Sequence, residues 1–129
     1  MSRSLQNQLR FAVKNDNFEK VKDCLQKGAD ISYEYDDDSR SLLHHACENG
    51  HLKIVTLLLK NRADKNFKDK KYGYSPLARA SFYGKFEVVK LLIQYGAQVE
   101  SKDNYGNTPL MNAAEKGHKE IVVITSKWC

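Results

Sequence analysis

Apolar residues in this chain come in short bursts with helical spacing. Ile54, Val55, Leu57, Leu58 and Leu59 make one burst, and Val88, Val89, Leu91, Leu92 and Ile93 repeat it one period later. Each burst is the wide apolar stripe of a helix buried against neighbours, broader than a surface helix would need. Ahead of each lies a shorter pattern that opens on a recurring tetrapeptide: Ser41-Leu42-Leu43-His44, Ser75-Pro76-Leu77-Ala78 and Thr108-Pro109-Leu110-Met111. Its copies start at 41, 75 and 108, offsets of 34 and then 33 residues. The polar breaks also recur, as Asn49-Gly50-His51, Tyr83-Gly84-Lys85 and Lys116-Gly117-His118. Such a period means stacked supersecondary units, none of which buries its apolar face alone. The pattern predicts first helices over 41–49, 75–83 and 108–116 and second helices over 51–60, 85–95 and 118–126, with little strand beyond short hairpins.

Each marker has a local reason for its place. Ser41, Ser75 and Thr108 can accept hydrogen bonds from the free N–H groups of a helix start, and Pro76 and Pro109 fall at the first helical position, where a missing N–H costs nothing. Gly50, Gly84 and Gly117 suit the left-handed conformation that closes a helix. Gly28-Ala29-Asp30, Arg62-Ala63-Asp64 and Gly96-Ala97-Gln98 mark where the chain leaves each second helix. With these three marker types held in register, the sequence resembles the ankyrin-repeat family over nearly its whole length.

The resemblance implies an all-α ankyrin-repeat solenoid of about four helix-turn-helix repeats with short hairpin loops. Residues 1–129 are read as one domain: an N-terminal capping repeat at 1–33, repeats at 34–67 and 68–100, and a C-terminal capping repeat at 101–129. The first unit is degenerate, with Asp16 at the glycine position and Lys20 and Asp23 where the next unit has Ile54 and Leu57. In the last unit Thr125 and Ser126 replace the Leu58-Leu59 pair. Polar edits of this kind keep the outer faces of end units soluble, so the chain is expected to be close to a complete short array.

Composition fits one domain: 129 residues, 41% hydrophobic, with only two prolines to suggest a linker. No apolar run approaches the ~18 residues of a membrane span, and the start Met1-Ser2-Arg3-Ser4 is not followed by an apolar core. A soluble protein of the cytoplasm or nucleus, with no membrane partner, is expected. The net charge of +5 divides as +2, −1, +3 and +1 over the four units, so no basic stripe marks a nucleic-acid binder. Asp36-Asp37-Asp38 makes one loop tip acidic, and Lys65, Lys68, Lys70 and Lys71 make the next one basic.

Three cysteines, Cys24, Cys47 and Cys129, are an odd number without patterned spacing, and the first two fall at Leu and Ala positions of the repeat. Reduced core thiols, no disulfide and no zinc are therefore expected. His44, Cys47 and His51 have spacings that suit metal ligands, but the register gives each another task, and by resemblance His44 serves a hydrogen-bonding role in the stack. Cys47 with His45 is the nearest approach to a thiol nucleophile and lacks support. No catalytic residue, metal site or cofactor is assigned.

By resemblance, partners dock on the concave side formed by loop tips and exposed residues of the first helices. Those register positions hold Asp37, Asp38, Arg40, His45, Glu48 and Asn49 in repeat two. In repeat three they hold Lys71, Tyr72, Tyr74, Arg79, Phe82 and Tyr83, and in repeat four Asn104, Tyr105, Asn107, Asn112, Glu115 and Lys116. The residues assigned to protein binding are Asp37, Asp38, Arg40, Lys71, Tyr72, Tyr74, Arg79, Phe82, Tyr83, Tyr105 and Asn112. Aromatic crowding in repeat three is the unusual part, because aromatics and Arg dominate interface hot spots. Phe82 and Tyr83 packed between repeats is the competing reading.

The expected function is thus a non-enzymatic module that binds a partner protein of unknown identity, with a monomeric chain. The alternative is a structural or regulatory subunit that self-associates through the C-terminal edge at Ile124 and Trp128, and the minor alternative is a metal- or thiol-dependent enzyme. The resemblance also marks Asn66 as a candidate for asparagine hydroxylation in the hairpin segment.

Overall fold

The computed structural model describes residues 2–32 and 40–127, so Asp36, Asp37, Asp38, Trp128 and Cys129 lie outside the described residues. Among those described there are eight helices and no strand. They are α1 (Ser2–Lys14), α2 (Phe18–Gln26), α3 (Leu42–Asn49), α4 (Leu52–Lys60), α5 (Pro76–Phe82), α6 (Phe86–Gln94), α7 (Pro109–Glu115) and α8 (Lys119–Ser126). The helices pair within units, α1 with α2 through α7 with α8. Between units, α1, α3, α5 and α7 stack in one layer and α2, α4, α6 and α8 in the other.

The predicted caps are the observed ones. Ser75 Oγ accepts from the Ala78 N–H at 3.1 Å and Thr108 Oγ1 from the Met111 N–H at 3.3 Å, each just ahead of a first-turn proline. Gly84 and Gly117 close their helices at φ of +73° and +76°. The residue after each glycine donates its N–H back to a carbonyl five residues earlier, Lys85 to Ala80 and His118 to Ala113. Asp16 in the first unit takes the same left-handed conformation at φ +56°, so losing the glycine there did not lose the turn.

Leu9, Val13, Val21, Cys24, Leu42, Leu58, Leu92 and Ile121 belong to one continuous apolar cluster running through all four units. Cys24 and Cys47 are buried free thiols, and burial pushes both above the ordinary thiol value, which disfavours the reactive thiolate. One end of the stack departs from the sequence reading. Thr125, read as a polar edit on an outer face, is wholly buried, and its hydroxyl donates to the Ile121 carbonyl at 2.8 Å. A helical threonine can satisfy its own hydroxyl this way, so it substitutes for leucine without needing solvent. Ser126, next to it, is exposed.

Polar groups also link successive repeats. The Ser41 N–H donates to His44 Nδ1 at 3.3 Å, and the Ser41 hydroxyl accepts the His44 N–H at 3.2 Å. With Nδ1 accepting, the ring proton sits on Nε2, which donates to the Tyr74 carbonyl of the next unit at 2.7 Å. One histidine thus caps its own helix and ties two repeats together. Further on, the Asn104 N–H donates to the Tyr72 carbonyl at 2.8 Å, and His118 Nε2 lies 3.0 Å from the Phe82 carbonyl. Asn66 Oδ1 accepts the Gln98 N–H at 3.0 Å, so the side chain marked for modification is engaged in the stack.

Gly84 and Gly117 form a controlled pair. A Cβ on Gly84 would lie 2.7 Å from His118 Cε1, whereas a Cβ on Gly117 would meet nothing within 4 Å. Gly117→Ala should cost the ~1–2 kcal/mol of left-handed backbone, and Gly84→Ala should cost clearly more because His118 must leave the Phe82 carbonyl. Urea denaturation of the two variants checks the ordering, and equal losses would contradict it.

His44 gives stability a pH dependence. Burial lowers its pKa to about 4 from 6.5, a fall partly opposed by the Tyr74 carbonyl and Asp69, with Arg79 and His45 adding to the lowering. Below its ordinary value the unfolded chain takes up the proton before the folded one does. His44 therefore contributes stability that is fully present above about pH 6.5 and is lost as pH falls toward 4. Chemical denaturation across this window should show a slope that shrinks in His44→Gln.

Candidate protein-recognition surface

The surface is built on the turn that precedes α5. The Asp69 N–H donates to the Tyr74 carbonyl at 3.0 Å and the Gly73 N–H to the Asp69 carbonyl at 3.1 Å. The Asp69 carboxylate closes the turn from inside, since Oδ1 accepts the Tyr72 N–H at 2.8 Å and the Gly73 N–H at 3.1 Å. Its other oxygen, Oδ2, accepts from Arg79 Nη2 at 3.1 Å. Arg79 Nη1 reaches back to Glu48 Oε1 in repeat two at 3.2 Å, and Arg40 Nη1 meets the same oxygen at 3.3 Å.

Repeat four copies the device without the charge. Asp103 Oδ1 accepts the Tyr105 and Asn107 N–H groups at 2.8 and 3.0 Å, and the Asn112 amide takes the guanidinium's place, donating to Oδ2 at 3.4 Å. This corrects two sequence assignments. Arg79 and Asn112, placed by register among exposed contact residues, are only 4% and 3% exposed. Both face the hairpin acids, because a buried carboxylate must find donors before any partner arrives.

Over this base the aromatics form a row. Ring centroids run Tyr105 to Tyr72 at 6.4 Å, Tyr72 to Tyr74 at 5.3 Å, Tyr74 to Phe82 at 6.1 Å and Phe82 to Tyr83 at 5.1 Å. All are within the range of favourable aromatic contact. The Arg79 guanidinium carbon lies 5.0 Å from the Tyr74 ring centre and 5.9 Å from that of Tyr72. Lys71 Nζ sits 5.2 Å from the Tyr72 ring and Lys116 Nζ 4.6 Å from that of Phe82. Tyr105 and Tyr83 end the row at 68% and 44% exposed, and Tyr72, Tyr74 and Phe82 between them are half-buried. Burial and the nearby Asp103 carboxylate raise the Tyr74 phenol above its ordinary pKa, so it stays neutral.

The other candidates fare differently. Lys71 is exposed and Arg40 is half-buried at Glu48. Asp37 and Asp38 fall outside the described residues. Of the three residues with ligand-like spacing, His44 has both ring nitrogens engaged, Cys47 is wholly buried, and His51 Nδ1 lies 3.6 Å from Asp16 Oδ1. Among the described residues no group of three metal-binding side chains gathers. The buried Asp69–Arg79–Glu48 bridge was not anticipated from the sequence. The signal available for it was an acid in each hairpin followed by a polar residue at the same place in the next helix, Asp69 with Arg79 ten residues on and Asp103 with Asn112 nine residues on.

A stack of helix pairs whose turns and first helices share one decorated face defines a repeat-protein recognition scaffold. The profile for ankyrin repeats (three copies) matches residues 9–103 and 64–124, and the chain belongs to the ankyrin-repeat family. It is 29% identical over 121 residues to ankyrin repeat and SAM domain-containing protein 6 of Mus musculus, covering 92% of this chain and 14% of that protein. It is 34% identical over 90 residues to serine/threonine-protein kinase 12 of Arabidopsis thaliana, covering 70% of this chain and 19% of the kinase. With the E3 ubiquitin-protein ligase Ufd4 of Drosophila melanogaster it shares 30% identity over 120 residues, 91% of this chain and 4% of the ligase. The chain therefore spans less than a fifth of the length of each of these relatives. Ankyrin repeats are general protein–protein interaction modules, and they occur here within relatives that are enzymes by name. Among the described residues no helix is long and apolar enough to cross a membrane.

Arg79 should be the most sensitive polar residue for stability. Arg79→Met leaves the wholly buried Asp69 carboxylate and the Glu48 carboxylate without their shared cation, a loss of about 3–5 kcal/mol. Asn112→Ala removes one neutral donor and should cost about 1 kcal/mol. Thermal and urea unfolding of both variants tests the ranking.

Proposed function

We propose that this chain acts as a non-enzymatic recognition module and binds a partner protein through the aromatic row of repeats three and four. One observation carries the reading: five aromatic side chains form an unbroken series on the hairpin and first-helix side, and the two that end it are substantially exposed. Exposed aromatics in series give large contact area at small entropic cost, which is the composition of interface hot spots. The buried salt bridge beneath holds Tyr72 and Tyr74 in place, so little ordering is left to oppose binding. The competing use, packing between repeats, accounts for the half-buried middle of the row but not for Tyr105 and Tyr83.

In this reading Lys71, Tyr72, Tyr74, Phe82, Tyr83 and Tyr105 touch the partner, Arg40, Arg79 and Asn112 support them from below, and Asp37 and Asp38 steer the encounter from the rim. The protein works as a monomer in a reducing compartment, the cytoplasm or nucleus, which the unpaired buried Cys24 and Cys47 suit. Self-association through the last repeat is the second reading, favoured by the exposure of Val123 at 55% on α8.

Tyr105→Ala and Tyr83→Ala provide the test, since both side chains are exposed enough to remove without opening the core. Each should weaken affinity for a partner recovered by crosslinking by about 2 kcal/mol while the melting temperature holds. Unchanged affinity with a collapsed melting temperature would assign the row to packing. A concentration-dependent mass in sedimentation that Val123→Glu abolishes would favour self-association instead.

A further inference from the structure

The charges around the aromatic row are sorted by burial. Asp69 and Asp103, the two acids of the hairpin turns, are 3% and 7% exposed and spend their oxygens on backbone N–H groups, Arg79 and Asn112. Glu48 is shared between Arg40 and Arg79. The lysines of the same turns point the other way: Lys70, Lys71 and Lys102 are exposed, as is Lys116 at the end of α7. The turns around the row, already basic in sequence, therefore expose their lysines while burying both of these acids. Glu115, beside Lys116, and Glu100, two residues before Lys102, are exposed exceptions, so the excess is strongest at the Lys71 end.

We propose that the partner presents an acidic peptide segment with interspersed aromatic or aliphatic side chains, which lies along Tyr105, Tyr72, Tyr74 and Phe82 with its carboxylates on Lys71 and Lys116. This inference rests on the recognition reading above and adds the chemistry of the occupant. Both lysines rest against rings of the row, so their ammonium groups are held where an incoming carboxylate meets charge and aromatic surface together. A cationic partner would meet rings already occupied by the protein's own cations. Residues 68–100 carry +3 and residues 34–67 carry −1, so the acid-rich part of the peptide lies toward repeats three and four.

Single-stranded nucleic acid shares the preference for lysine and aromatics but needs free ring faces on which bases stack. Here Tyr72 stacks on Tyr74 at an interplanar angle of 26° and also carries Lys71, while Phe82 carries Lys116. The faces are largely taken, and the exposed edges suit side chains better than bases.

The test selects a phage-displayed library of random dodecapeptides on the full chain, with Tyr105→Ala and the double variant Lys71→Glu/Lys116→Glu in parallel. Enriched peptides and an oligouridine of equal length are then measured by fluorescence anisotropy at increasing salt. The expected peptides place Asp or Glu beside aromatic or aliphatic residues, weaken with salt, and bind the double variant at least about tenfold less tightly at an unchanged melting temperature. Peptides without acidic bias that still need Tyr105 would overturn the charge assignment and leave the recognition reading standing. Oligouridine binding more tightly than any selected peptide would overturn it in favour of nucleic acid. Failure to enrich any peptide that depends on Tyr105 would sink both.

Discussion

Each unit of this protein has apolar surface on more sides than its own two helices can cover. The stripe of α4, from Ile54 to Leu59, needs α3 behind it and α2 and α6 on its flanks, and the corresponding stripe of α6 needs α5, α4 and α8. Burial at roughly 25 cal/mol per Å² of apolar surface is the main favourable term, and it is collected only when neighbours stack in register. The common face is a consequence. Once the helices are layered, the turns that precede α5 and α7 come together beside their first helices.

Stacking also brings backbone polar groups out of water, and the polar side chains answer that need first. His44 spans from its own cap to the Tyr74 carbonyl, His118 lies against the Phe82 carbonyl, and Asn104 and Asn66 bridge the turns. Asp69 and Asp103 satisfy turn N–H groups from within, and Arg79 then neutralises one of them while reaching Glu48 in the preceding unit. The support for the aromatic row is therefore the same set of contacts that holds repeats two and three together. A surface fixed by obligatory internal contacts is rigid before any partner arrives, which lowers the cost of binding.

The repeat period, the helix boundaries and most of the caps were legible in the sequence, since they depend on residues close together in the chain. Ser75 and Thr108 cap α5 and α7 through a neighbour three residues on, and Pro76 and Pro109 start those helices by fixing their own φ. The aromatic cluster was legible as a set of positions, because register places Tyr72, Tyr74, Phe82, Tyr83 and Tyr105 on one side. Burial was not. Arg79 and Asn112 look like surface residues by type and by register, and Thr125 looks like an edge residue, yet each lies inside the fold, Arg79 with both terminal guanidinium nitrogens on carboxylates, Asn112 on Asp103 and Thr125 on the Ile121 carbonyl.

What the sequence by itself determined is the family, the all-helical repeat architecture and the side of the stack that carries the unusual residues, because helix propensity, capping and period act over short separations. Only the tertiary structure decided which charges face solvent. Asp69 and Lys71 are two residues apart in one turn, and one carboxylate is buried while its neighbouring ammonium rests on a tyrosine. That division follows from the arrival of Arg79 from α5 and of Glu48 from another repeat, and the desolvation cost that forces the pairing does not exist until the layers close.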